Sequence, residues 1–416
     1  MRKIRGLHCV LCGSDYAYGE VEYTCPKCGT TGILDVQFDY DWLESNGFGA
    51  KALAARTEGP LARYIELLPI EDAADLPSLQ FGPTPLYRFP KLASTIGVAE
   101  LLVKDDGRMP TASFKDRASA IAVARAREKG YSEIACASTG NAASSLAGMS
   151  ANTGLRAHIF VPATAPEAKV AQLQIFGADV LLVEGTYDQA YDLCMEACRE
   201  FGWFNRNCAI NPYLVEGKKT CGLELGEQLG QEPVDWVAVS VGDGCTVAGV
   251  WKGLVEMHRF GVLAHLPRIL GVQASGASPL VDAFARGSED FEPGPASTLA
   301  DSIAVGHPRN AVKALRAVRE SGGTLLAVED DAILEAMKLL ATSTGVFGEP
   351  AGVAAFAGVT KAVDEGLITA GAKVVHVVTG NGLKDVKAAF RATGEPRRIG
   401  LSLDEVRAAV ASSAQL

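Results

Sequence analysis

Seven short apolar runs rich in β-branched residues, at 133–138, 157–161, 179–183, 235–241, 268–273, 323–328 and 373–378, constrain this chain most. Most are separated by segments of helical pattern, such as 165–176 and 187–201. Strands apolar on both faces need cover on both, and helical crossovers supply it, so the alternation predicts an α/β chain with mostly parallel sheets. Such sheets bind ligands beyond the carboxyl ends of their strands. Three runs lead there into small-residue turns, STGNAA from Ser138, GDGCTVAG from Gly242 and TGNGLKD from Thr379, which together predict one crevice.

Length and charge exclude several classes. With 416 residues there is enough chain for two or three domains and a large core. The 39 basic against 49 acidic residues, net charge −10, show no basic cluster and disfavour nucleic acid and anionic membranes as partners. No apolar stretch reaches signal-peptide or membrane-spanning length, so a cytoplasmic protein is expected.

The cysteines fall into two groups. Cys9, Cys12, Cys25 and Cys28 form two CxxC knuckles, a spacing that closes four thiolates around a structural zinc and lends folding energy to a segment too short for its own core. The alternative is a redox dithiol, which needs only one pair. Cys136, Cys194, Cys198, Cys208, Cys221 and Cys245 lie among apolar residues and read as reduced core residues. The division expected is a ribbon at 1–38, a connecting region at 39–80 with weak periodicity, and a body at 81–416; a surface helix should begin at Leu403.

The stretch PTASFKDR sets Lys115 behind Phe114 at the start of a helical segment. An amine shielded by an aromatic ring at the positive end of a helix loses stability as a cation, as a nucleophilic lysine requires. The residues alone leave open an ordinary solvated turn lysine. The loop Gly242, Asp243, Gly244, Cys245, Thr246 follows a strand and precedes a helix, so its N–H groups suit a phosphate without a basic side chain. It lacks the P-loop lysine and the dinucleotide spacing, and a plain tight turn remains the alternative.

Taken in order, PTASFKDR, STGNAA, GDGCT, INPYLVEGKKT, GVFGEPAG and TGNGLKD resemble the threonine synthase group of fold type II pyridoxal-phosphate enzymes, over roughly residues 5–390. The resemblance implies two open α/β domains with the cofactor in the cleft between them, the smaller at roughly 110–220, preceded by the zinc ribbon. It implies that Lys115 holds pyridoxal 5'-phosphate as an internal aldimine and moves the Cα proton. Phe114 would pack on the cofactor ring, Asn141 bond its hydroxyl oxygen, Thr379 face the pyridine nitrogen, and Gly242 to Thr246 take the phosphate. Ser138, Thr139 and Asn141 would grip the substrate carboxylate, and a homodimer is the family expectation.

Four positions depart from that pattern. Where the group resembled has an arginine after Asn-Pro-Tyr, this chain has Leu214; Cys208 and Ala209 replace Asn-Ser, and Ala304 replaces a second basic residue. Those donors serve a phosphorylated substrate. Their loss predicts elimination or replacement at Cβ of a small amino acid lacking a phosphate, through an external aldimine and aminoacrylate, with Leu214→Arg restoring turnover of a phosphorylated substrate. The alternatives are threonine synthase proper, converting O-phosphohomoserine with Arg309, Lys218 or Lys219 as phosphate contact, and a non-catalytic protein that binds the cofactor or a partner through its ribbon.

Overall fold

The computed structural model describes residues 1–413 apart from Pro60, Pro166 and Ala209, so the expectation for Ala209 lies outside the described residues. β1 (Ile4–Cys9), β2 (Asp15–Ala17) and β3 (Leu34–Phe38) make an antiparallel ribbon in the order β2-β1-β3. Leu34, Val36 and Phe38 alternate inward, as a one-face-buried strand requires.

The stretch after the ribbon, whose weak periodicity suggested a connector, is a packed strap. Its helices and turns are too short for a 3.6-residue pattern to register, yet Leu43, Leu53, Tyr64, Leu67, Leu68 and Ile70 are buried. Phe48 meets Phe260 edge-on at 4.8 Å, and Tyr40 donates to Glu256 at 2.7 Å, so the strap is fastened to the body.

β4 (Leu86–Arg88) and β5 (Glu100–Asp105) begin the larger sheet. The chain then leaves it to build β6 (Glu133–Ala137), β7 (Arg156–Pro162), β8 (Asp179–Val183) and β9 (Phe204–Asn205). It returns as β10 (Trp236–Ser240), β11 (Arg268–Ala274), β12 (Thr324–Val328) and β13 (Lys373–Val378). The sheet orders are β12-β11-β10-β13-β5-β4 and β8-β7-β6-β9, parallel throughout except β4 against β5. All seven apolar runs are strands. β5 escaped the pattern because its run ends in Lys104 and Asp105, and β9 because two residues carry no period.

Three helices stack beside the crevice at backbone contact. A Cβ on Gly222 of the helix Tyr213–Leu229 would lie 2.2 Å from the Val250 carbonyl oxygen, and one on Gly217 2.4 Å from that of Arg117. Glycine therefore sets their spacing. Within this stack Arg117 is fully buried, donating to Asp106 at 2.6 and 2.9 Å and to Glu224 at 2.7 and 2.9 Å, and Lys104 reaches Glu224 at 2.7 Å. Burial pushes the Glu224 carboxyl up, but Arg117 and Lys104 outweigh it and hold it at about 2. Breaking a buried pair strands a charge, so Glu224→Ala should lower stability by about 3–5 kcal/mol in denaturant unfolding. A loss below about 1 kcal/mol would show that the two cations find other partners.

Candidate active site

Lys115 is the first residue of the helix Lys115–Glu128. Its approach is stapled to the end of β13: the Phe114 N–H donates to the Thr379 carbonyl at 2.9 Å, and the Asn381 N–H to the Ala112 carbonyl at 3.0 Å. Ala112 has φ +64°, the left-handed region, which costs an alanine about 1–2 kcal/mol and is kept here by those bonds. Burial first and Lys218 second push the Lys115 amine down to about 8. More of it is therefore unprotonated near neutral pH than of an ordinary lysine.

Lys115 lines an inner cavity of about 130 Å³ with Ser138, Thr379 and the whole loop Gly242 to Thr246. That loop joins β10 to the helix Cys245–Arg259. Gly244 has φ +90°, and a Cβ there would stand 2.7 Å from that of Ala314, so only glycine brings this backbone to the helix start. An outer cavity of about 430 Å³ holds Thr139, Asn141, Ser144, Lys169 and Lys384, and Ser302, Glu349 and Ala351 line both. The helices starting at Lys115, Asn141, Cys245 and Pro350 all begin at these walls, so the positive ends of four helix dipoles meet there.

The structure thus brings together the predicted residues of three strand-end turns. Phe114 is the exception: it is 1% exposed, packs in the core with the Arg117 guanidinium 5.7 Å from its ring centre, and is not among the residues lining either cavity. Leu214, read as a lost phosphate ligand, is fully buried among apolar residues of the smaller sheet and lines neither cavity. An arginine there would enter that core, so the expected gain from Leu214→Arg is withdrawn. Of the three cations considered as substitutes, Lys218 and Arg309 line the inner cavity, while Lys219 is fully buried against Glu216 and Glu256.

Two residues of the site, Glu349 and Arg206, went unread in the sequence. Glu349 is 5% exposed and accepts from Asn141 Nδ2 at 2.7 Å. Burial raises its carboxyl, against the pull of Lys115 and Asn141. The GEPAG match holds it, but nothing in that string marks an acid facing Asn141. Arg206 also lines the inner cavity, as do Cys245, expected there within the loop Gly242 to Thr246, and Cys208, one of the four departing positions. Hydrogen bonding to Cys245 draws the Cys208 thiol well below its ordinary value, with Lys218 and Arg206 adding to the effect.

In the ribbon, the four sulfurs of Cys9, Cys12, Cys25 and Cys28 lie within 4.8 Å of one another. The Cys12–Cys25 and Cys9–Cys28 separations are 3.6 and 3.9 Å. Tetrahedral zinc thiolates at about 2.3 Å have sulfur–sulfur edges of about 3.8 Å. Among the described residues no helix is long and apolar enough to cross a membrane.

A donor set of this kind, with a deprotonatable lysine, a glycine-lined helix start and basic side chains in one cleft, fits an aldehyde-bearing phosphate ester such as pyridoxal phosphate. Comparison with known proteins agrees. Residues 77–380 match the family described as pyridoxal-phosphate dependent enzyme. The threonine synthase of Methanocaldococcus jannaschii is 39% identical over 402 residues, covering 96% of this chain and 98% of that protein. That of Methanosarcina acetivorans is 39% identical over 98% of this chain and 99% of its own. Among solved structures, threonine deaminase isoform 2 of Solanum lycopersicum superposes with TM-score 0.66 at 22% identity, covering 84% of this chain and 97% of that one. Diaminopropionate ammonia lyase of Escherichia coli gives TM-score 0.64 at 20% identity, covering 76% and 88%, and both show the shared fold. The chain belongs to the pyridoxal-phosphate-dependent enzymes of fold type II and, within them, to the threonine synthase family.

Proposed function

We propose that this enzyme performs elimination or replacement at the β-carbon of a small amino acid, with Lys115 carrying the cofactor and moving the Cα proton. The observation that carries the reading is the placement of Lys115 in one small cavity with the glycine loop and Thr379, and burial there pushes its amine down. When bound, pyridoxal phosphate supplies a sink for the electron pair left at Cα. The chain's own groups do the rest. Ser138, Thr139 and the start of the helix Asn141–Thr153 hold the substrate carboxylate, whose negative charge suits that helix end. Asn141, oriented by Glu349, would bond the ring hydroxyl, and the neutral Thr379 hydroxyl would face the ring nitrogen. The unprotonated Lys115 amine would take the Cα proton, which leaves with the β-substituent as HX in elimination, whereas in replacement Lys115 would return a proton to Cα once the nucleophile has added at Cβ. Water then gives a 2-oxo acid and ammonia, or another nucleophile adds.

The ribbon is a structural zinc site in this reading, with four closed thiolate ligands and no open position. The working units are 1–38, 39–80 and 81–416, the smaller domain spanning roughly 110–220; the enzyme acts in the cytoplasm as a homodimer. A second reading, threonine synthase itself, is favoured by the names of the relatives and by Arg309, a cation in the inner wall.

The test presents holoenzyme with L-serine, L-threonine, O-phosphoserine and O-phosphohomoserine while 2-oxo acid, ammonia and phosphate are assayed. Turnover of a hydroxy amino acid to a 2-oxo acid with O-phosphohomoserine inert supports the first reading. Release of phosphate and threonine from O-phosphohomoserine alone replaces it with the second.

A further inference from the structure

We propose that Lys218 and Arg206 grip the cofactor's phosphate from the wall facing the glycine loop, so that this chain adds two side-chain cations to the backbone cradle. The inference rests on reading the loop Gly242 to Thr246 as the phosphate seat. The buried cations of the chain divide cleanly. Lys104, Arg117, Arg125, Lys219 and Lys313 each have a carboxylate within 4.0 Å. Arg206 and Lys218 are 2% and 4% exposed, and among the described residues no carboxylate stands within that distance of either. Both line the inner cavity. A buried cation without a counter-charge is strongly unfavourable, so a pair of them at one cavity marks the seat of an anion.

Placement identifies which anion. Lys218 lies in the helix Tyr213–Leu229 where Gly249 makes room: a Cβ on Gly249 would stand 2.9 Å from that of Lys218. The lysine therefore starts beside the second turn of the helix Cys245–Arg259, whose first turn is the phosphate loop. Arg206 leaves β9 with its N–H on the Ala135 carbonyl at 2.9 Å, and its Nε and Nη2 donate to Ser119 Oγ at 3.2 and 3.1 Å. That aims the guanidinium at the cavity instead of at solvent. Lys218 has one soft partner, the Cys208 sulfur, whose thiolate form supplies a single negative charge against two cations and lacks the oxygen acceptors of a phosphate dianion.

The test strips the full chain of cofactor and titrates wild type, Lys218→Gln and Arg206→Gln with pyridoxal phosphate, with pyridoxal and with inorganic phosphate. Bound cofactor is followed by fluorescence quenching and phosphate by the shift in melting temperature. Either variant should weaken pyridoxal phosphate about ten- to hundredfold while pyridoxal changes less than about threefold. Inorganic phosphate should stabilise wild-type apoprotein and lose that effect in Lys218→Gln. Pyridoxal phosphate affinity within about threefold of wild type in both variants overturns the proposal and hands the cations to an anionic group on the substrate. If one variant does not fold, the other and the wild-type phosphate shift still decide. Failure of the cofactor reading itself would look different: wild-type protein would then form no lysine-bound cofactor chromophore at all.

Discussion

Lys115→Ala is expected to abolish turnover, by at least about a thousandfold, while leaving the protein folded. Under the proposed function the loss would have two sources, the covalent tether of the cofactor and the base that takes the Cα proton. The fold survives because the helix start is held by other atoms: the Phe114 N–H on Thr379, the Thr111 N–H on Asp116 at 2.6 Å, and the Arg117 network two residues on. Dialysed Lys115→Ala protein should lose the absorbance of lysine-bound cofactor; retention would show that another amine carries it. Wild-type apoprotein should take up pyridoxal phosphate faster as pH rises through about 8 and level off about one unit above it, where the amine is mostly free. An unshifted lysine would keep accelerating toward 10.5.

The second large effect is expected at the ribbon. Metal analysis should give one zinc per chain, and Cys25→Ser should lose it together with a sharp fall in unfolding temperature, since structural zinc in ribbon-sized segments supplies about 10–16 kcal/mol of apparent binding energy. The damage should not stay local. Lys252 and Lys313 reach from the body to Asp35 at 3.2 and 3.0 Å, and the Lys219 ammonium sits 4.0 Å from the Phe38 ring centre. When the ribbon opens, Asp35 and Phe38 no longer hold these cations, which belong to the helices Tyr213–Leu229, Cys245–Arg259 and Ala311–Glu320. Activity should fall with stability even though no ribbon residue lines either cavity. Zinc content below about 0.1 per chain, with Cys25→Ser unfolding like wild type, would remove the metal from the account.

The parallel strands could be read from the sequence because burial on both faces forces continuous apolar runs, and the three ligand turns because small residues are needed where backbone approaches a ligand. The strap after the ribbon could not, since its apolar residues follow irregular turns with no period. β5 was hidden by Lys104, a charge that a sequence reading assigns to the surface but that here answers Glu224 inside the core. Lys115 and its loop were legible through a motif. Arg206 was not, because a cation in a sequence does not announce whether a carboxylate stands near it, and Lys218 could be named only as one of three contacts for a substrate phosphate. Leu214 misled for the complementary reason: its place in the INPY stretch was clear, while its direction into the core is a property of three dimensions.

The central claim is that Lys115, and no other amine of the cleft, carries the cofactor. Reducing the holoenzyme with borohydride and mapping the pyridoxyl group by peptide mass spectrometry tests it directly. The account predicts the modification on Lys115 at close to one per chain. A pyridoxyl group on Lys218, the other lysine of the inner cavity, or on no lysine, would contradict it.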